Sequence, residues 1–181
     1  MGWLTGNQIA KEVNKQKIKI TPFSASQVNP NSYDYRLAKT LRVLRPNSTH
    51  NSVYCLDPKK RMKYDELTIP PSGFLMQPDT PYLGHTVEKF GSRYFASLCT
   101  GKSSVGRIFL QNHMCAGLID QGFYGHITLE MTVELPTIVY PNMRIGQMFW
   151  FESVGTATLY AGKYQYKNAA RPSKIYKDVT K

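Results

Sequence analysis

The run from His126 to Leu135 constrains this chain more than any other stretch. Ile127, Leu129, Met131, Val133 and Leu135 alternate with Thr128, Glu130, Thr132 and Glu134. A period of two over that length suits a half-buried β-strand and no helix. Such a strand needs partners, and the sequence offers several. Pro136 and Pro141 bracket a short strand from Thr137 to Tyr140, and Met148 to Phe151 reads as a strand buried on both faces. Phe74 to Met76 and Tyr94 to Leu98 read as further buried strands. Many short strands with Gly and Pro punctuation predict a mainly β sandwich or barrel.

Only the beginning of the chain departs from this. Thr5 and Gln8 have the spacing of a capping box, and Ile9 and Val13 form a narrow apolar stripe. A short N-terminal helix is expected there, followed by a strand that Pro22 ends. Residues 45–72 carry four prolines and the basic run Lys59-Lys60-Arg61, and read as an exposed irregular excursion. The polar, Tyr-rich and basic stretch 160–181 reads either as a disordered end or as a flap that orders over something anionic. With 181 residues, a single domain spanning 1–181 is expected, with 160–181 as its C-terminal flap.

Charge and cysteine content narrow the function. Twenty-three Lys and Arg against 12 Asp and Glu leave a net charge of +11, which points to an anionic partner or to a basic solvated surface. Cys55, Cys99 and Cys115 are too scattered for a disulfide framework or zinc knuckle and read as reduced thiols, so a cytoplasmic setting is expected. No apolar run reaches the roughly 20 residues of a membrane span. There is no His-x-Glu with Pro-Cys-x-x-Cys, the ligand set of zinc nucleobase deaminases, nor a Walker loop, GxGxxG, HExxH or GxSxG. Any catalysis is expected to run on carboxylates, hydroxyls and water, without a protein-held zinc.

Three segments carry residues suited to such chemistry. Thr100 to Arg107 places two cations, three hydroxyls and two glycines within eight residues, which suits either a phosphate contact or a plain turn. Ala116 to Gly125 sets Asp120 in a glycine-rich turn, where it serves either a ligand or its own backbone. Glu130 lies on the polar face of the long strand, either solvated or held in a partly buried site suited to proton transfer.

The order of these segments resembles that of the dCTP deaminases of the dUTPase-like superfamily. The matching stretches are Ile20 to Ala38 with its Ser-x-Asp-x-Arg-Leu motif, Gly101 to Arg107, Ala116 to Glu130, Arg144 to Gln147, and Tyr160 to Tyr164 before a basic tail. The resemblance implies a distorted β-barrel or jelly-roll that forms a homotrimer with active sites shared between subunits. It implies dCTP as substrate, with dUTP as product or second substrate and Mg2+ bound through the phosphates. Lys102, Ser103, Ser104, Val105, Gly106 and Arg107 would hold the triphosphate, Ser103 also fixing the water. Asp120 would contact the deoxyribose, and Thr128, Leu129 and Glu130 would line the base, with Glu130 the proton shuttle. Gln147, Tyr160, Lys163 and Lys167 match the remaining nucleotide contacts.

Several positions depart from the family pattern. Lys102 stands where Arg is usual, Lys167 where Gln is usual, and Leu118 where Arg or a large aromatic is found. Ala116-Gly117 followed by an apolar residue looks like those members that also cleave dUTP to dUMP and pyrophosphate, and Asp120 would then help place a second water. Two rivals remain: a dUTP diphosphatase only, and a nucleotide-binding regulator of the same fold without catalysis. Nucleic-acid binding rests on charge alone and is not the expectation.

Overall fold

The computed structural model describes residues 2–166 and 168–179. They form two large antiparallel sheets facing each other and two small two-stranded ones, with the helix Gly6–Asn14 at the start. The first sheet runs in the order Leu110–Gln111, Tyr124–Val133, Tyr82–Ser92, Thr40–Arg45 and Lys63–Thr68, with Ile18–Thr21 paired to the far half of Tyr82–Ser92. The second runs Leu118–Ile119, Ala96–Gly101, Arg144–Phe151, Ser32–Arg36 and Val28–Asn29. This is a mainly β architecture built as two packed sheets with a short N-terminal helix.

Aromatic rings join the sheets. Phe90 of the first lies 6.1 Å from Trp150 and from Tyr33, and 6.4 Å from Tyr35, all three in the second sheet. These rings are fully buried, within one cluster that takes side chains from both sheets. Each such ring removes a large apolar area from water, so this layer supplies much of the driving force for folding.

The long strand obeys its predicted alternation. Ile127, Leu129, Met131 and Val133 point inward, while His126, Thr128, Glu130 and Thr132 face out. It starts earlier than the apolar run does, at Tyr124, and ends at Val133. Leu135 is therefore 62% exposed, because pairing with Leu110–Gln111 stops at Val133 and the chain turns away. The helix forms with Thr5 as its cap, Oγ1 accepting from Gln8 N at 3.4 Å. Only half the capping box exists, since the Gln8 side chain donates to Glu12 instead, at 2.8 Å.

Four other expectations need correction. Within 45–72, Lys63–Thr68 pairs along its whole length with Thr40–Arg45, and Ser48–His50 forms a hairpin with Val53–Cys55. Backbone pairing at a sheet edge tolerates the polar side chains that suggested a loop. Met148 and Trp150 are buried, but Phe149 and Phe151 are only half covered, so Arg144–Phe151 alternates like the other strands. Phe149 is covered on its outer side by Trp3, 4.7 Å away. In Phe74–Met76 only Met76 is buried, and the strand expected from Tyr94 begins at Ala96 with Tyr94 exposed.

The central strand Tyr82–Ser92 is absent from the sequence reading because its buried positions include Gly84, His85, Thr86 and Glu88. A bulge explains them. Between the pairs His126↔Lys89 and Thr128↔His85, three residues of this strand oppose Ile127 alone. Thr86 closes the gap: Oγ1 donates to Glu88 O at 2.6 Å and accepts from Ile127 N at 3.0 Å. Glu88 turns to the second sheet, where its carboxylate receives Arg36 Nε at 2.7 Å and Gln27 Nε2 at 2.9 Å.

Candidate active site

Beyond that bulge the long strand presents Thr128, Glu130 and Thr132 to a cavity of about 670 Å³. Bulges re-aim the side chains that follow them, and here that places Glu130 away from the aromatic core. The floor is the strand itself, the apolar wall includes Leu83, Met114 and Phe123, and the polar groups include Asp120, Thr128, Glu130, Tyr160 and Arg171. Half-buried Glu130 has one oxygen, Oε2, accepting from Met114 N at 3.2 Å. Among the described residues Oε1 has no partner, so one carboxylate oxygen is free to exchange protons with a ligand.

Asp120 sits at the rim, after Leu118–Ile119 pairs with Ala96–Gly101. Among the described residues its carboxylate accepts no hydrogen bond, so this Asp is not spent on its own turn. Gly122 makes the turn possible at φ +92°, and a Cβ there would come within 2.9 Å of Tyr160 N and Leu159 Cβ. Only glycine allows the C-terminal segment to pass so close.

That segment folds back over the cavity as a strap. Tyr160 N donates to Gln121 O at 2.7 Å, and the Tyr160 ring meets Phe123 edge-on at 6.0 Å. Gln165 ties it down twice, accepting from Tyr124 N at 2.9 Å and donating to Gly122 O at 2.7 Å. Further on, Arg171 N donates to Thr128 Oγ1 at 3.0 Å, and Arg42 holds the Ala170 carbonyl. Arg42 is itself fixed by Glu66 at 2.9 Å and by the Tyr64 ring at 4.4 Å, both on the Lys63–Thr68 strand. The stretch expected as loop is thus the strap's anchor.

The basic segment lies elsewhere. Ser103–Gly106 is one helical turn on which Ser103, Ser104 and Gly106 are exposed, as is Arg107 after it, while Val105 is buried beneath. Lys102 is ion-paired to fully buried Asp34 of Ser32–Arg36. Asp34 also receives Asn29 Nδ2 at 2.7 Å, with Arg144 3.9 Å away. Gln147 lies beside Asp34 in register and accepts from Ser32 Oγ at 3.0 Å. None of Lys102, Ser103, Ser104, Arg107 or Gln147 lines the cavity of its own chain.

The fold therefore gathers Asp120, Thr128, Glu130 and Tyr160 into one cavity and sets the cationic loop apart. Leu129 and Val105 turn their side chains into the core, leaving only backbone atoms for a ligand. Lys163 pairs with Asp178, whose hydrogen bond pushes the ammonium pKa up. Lys167 lies outside the described residues. Sequence reasoning missed Met114, Gln165 and Arg171, which carry no local motif, and passed over His126 within the Ala116 to Glu130 stretch. His126 lines the cavity, and burial lowers its pKa, as it does that of neighbouring His85. Both Nδ1 atoms lie on Thr86 O, at 2.8 and 2.9 Å. Among the described residues no three His, Cys, Asp or Glu side chains converge on a metal position, and no helix is long and apolar enough to cross a membrane.

A half-buried carboxylate with one free oxygen, set in a largely apolar cavity under a tyrosine-rich strap, is the kind of group that general acid-base chemistry uses. Residues 3–153 match the model of the dCTP deaminase-like family, and this chain belongs to that family. It is 40% identical over 176 residues to the "dCTP deaminase, dUMP-forming" of Hathewaya histolytica, covering 97% of this chain and 98% of that one. It is 38% identical over 179 residues to the protein of the same name from Leptospira biflexa, covering 98% of both. The crystal structure of 2'-deoxycytidine 5'-triphosphate deaminase from Agrobacterium tumefaciens superimposes with a TM-score of 0.66 at 21% identity. That match covers 84% of this chain and 48% of the longer crystallised one, and it establishes the fold.

Proposed function

We propose that this protein deaminates dCTP by hydrolysis and cleaves the resulting dUTP in the same site to dUMP and pyrophosphate. The observation that carries this is Glu130, one oxygen held by Met114 N and the other free within an apolar-walled cavity. In the first step Glu130 takes a proton from water as the oxygen attacks C4 of the cytosine ring. It then returns protons to ring N3 and to the departing nitrogen, so that dCTP and water give dUTP and ammonia. One carboxyl group serves as base and then as acid, without a protein-bound zinc. In the second step water attacks the triphosphate, with unpartnered Asp120 at the rim placed to orient it, giving dUMP and pyrophosphate. Mg2+ would enter bound to the phosphates and offset part of their charge.

The site we propose is shared within a homotrimer. Ser103, Ser104 and Arg107 are exposed yet do not line their own chain's cavity, so the phosphates of one cavity would be met by the loop of a neighbouring copy. Ile108, Phe109, Met114 and Leu118 are 45–61% exposed around these two regions, an apolar surface suited to burial between copies. Resolving ammonia and pyrophosphate separately during incubation with dCTP and Mg2+ tests the sequence of steps. Both products are expected; dUTP accumulating without pyrophosphate rejects the second step, and turnover of dUTP alone rejects the first. Binding of dCTP with no product would favour a regulator of the same fold.

A further inference from the structure

Arg171 belongs to no motif, yet it lines the cavity that holds Glu130. Two anchors set its backbone. Its own N–H donates to Thr128 Oγ1 at 3.0 Å, and the carbonyl of the buried residue before it, Ala170, is held by Arg42. Thr128 and Glu130 are two positions apart on one face of a strand, so Arg171 is fixed one side-chain row from Glu130. Among the described residues neither its solvent-excluded Nε nor its terminal guanidinium nitrogens donate to a protein acceptor. It makes no ion pair with Glu130 or Asp120, which line the same space. Arg42 shows the contrast: a guanidinium used as a prop, spent on a carbonyl and a carboxylate. The Arg171 Nε is shut off from any ligand, so the donors left for one are the terminal guanidinium nitrogens, at the wall of the cavity.

We infer that Arg171 is a specificity-determining residue whose guanidinium donates to the C2 carbonyl oxygen of the bound pyrimidine. This rests on the deaminase reading. In that reading Glu130 serves ring N3 and C4, and the C2 oxygen is the acceptor next to N3 on its other side. The triphosphate is met by the separate cationic loop, which leaves Arg171 for the base. Cytosine and uracil both carry this oxygen, so one contact serves substrate and first product. It also gives the strap a use: only when docked on Thr128 does it bring the donor over the ring.

The test measures binding of two probes to the full-length protein, deoxyuridine for the base and sugar and tripolyphosphate for the anionic end. Arg171→Met keeps the aliphatic stem and removes the donors. It is expected to weaken deoxyuridine about tenfold or more and to leave tripolyphosphate unchanged. KM for dCTP rises in step while kcat stays within about twofold. Arg171→Lys, which keeps charge and a donor without the fork, recovers part of the loss. Loss of tripolyphosphate binding instead would make Arg171 a phosphate contact and overturn the inference. Unchanged binding of both probes, with a strap newly open to protease, would make it a prop and also overturn it. A wild-type protein that binds deoxyuridine yet releases no ammonia from dCTP would end the deaminase reading, while the Arg171→Met binding ratio still decides the contact.

Discussion

The two sheets each hold a carboxylate that the chain treats in opposite ways. Asp34, in the second sheet, is fully buried and surrounded by Lys102, Arg144 and Asn29. Glu130, in the first, is half-buried, receives one backbone N–H, and keeps an oxygen open to a cavity. A carboxylate ringed by cations and an amide donor acts as a structural pin. One left short of partners is available for proton transfer. The same contrast separates Arg42, spent on Ala170 and Glu66, from Arg171 with its idle Nε.

The largest effect is expected from Glu130→Gln, which keeps the shape and removes the proton acceptor. Ammonia release falls by about 10²–10⁴-fold while dCTP still binds and the melting temperature holds. Normal turnover by this variant would erase the proposed difference between the two carboxylates. Asp34→Asn gives the reverse profile. It strips the counter-charge from Lys102 and Arg144 and lowers stability by about 2 kcal/mol in urea titrations. An Asp34→Asn protein of unchanged stability would show that the pin carries no load.

Gly122→Ala tests the strap that roofs one carboxylate and not the other. A Cβ at φ +92° meets Leu159 and Tyr160, so the strap is displaced at a cost of about 1–2 kcal/mol. Trypsin should then cut near Lys163 faster, and KM should rise. Resistance equal to wild type would show that the strap is held without that turn. The smallest effect is on pH. Burial lowers the pKa of both His85 and His126 from 6.5, so the folded state binds fewer protons than the unfolded one just below that value. Their contribution is complete above about pH 6.5 and is lost as the pH falls through the lowered folded values. The melting temperature should therefore drop below pH 6.5, and His126→Gln should flatten that drop; an unchanged slope would remove His126 as a cause.

Legibility in the sequence followed local pattern. The Tyr124–Val133 strand was readable because apolar and polar side chains alternate without interruption, and the helix because its cap and stripe are local. Tyr82–Ser92 was unreadable because Glu88 and Thr86 are buried by partners far along the chain, Arg36 and Ile127. Lys63–Thr68 hid for a related reason: its pairing with Thr40–Arg45 is made by backbone groups that every residue carries. Glu130 and Asp120 stood out by motif. Arg171 and Gln165 did not, since both matter through contacts with residues about forty positions away.

What the amino-acid order determined by itself was the kind of fold and the family, because a period of two and a run of short motifs are properties of neighbours along the chain. Which acid is pinned and which left open, which arginine is spent and which idle, and that the strap closes over its own chain's cavity were decided only by tertiary structure. Those outcomes depend on distance through space and on exclusion of water, and neither can be counted along a sequence.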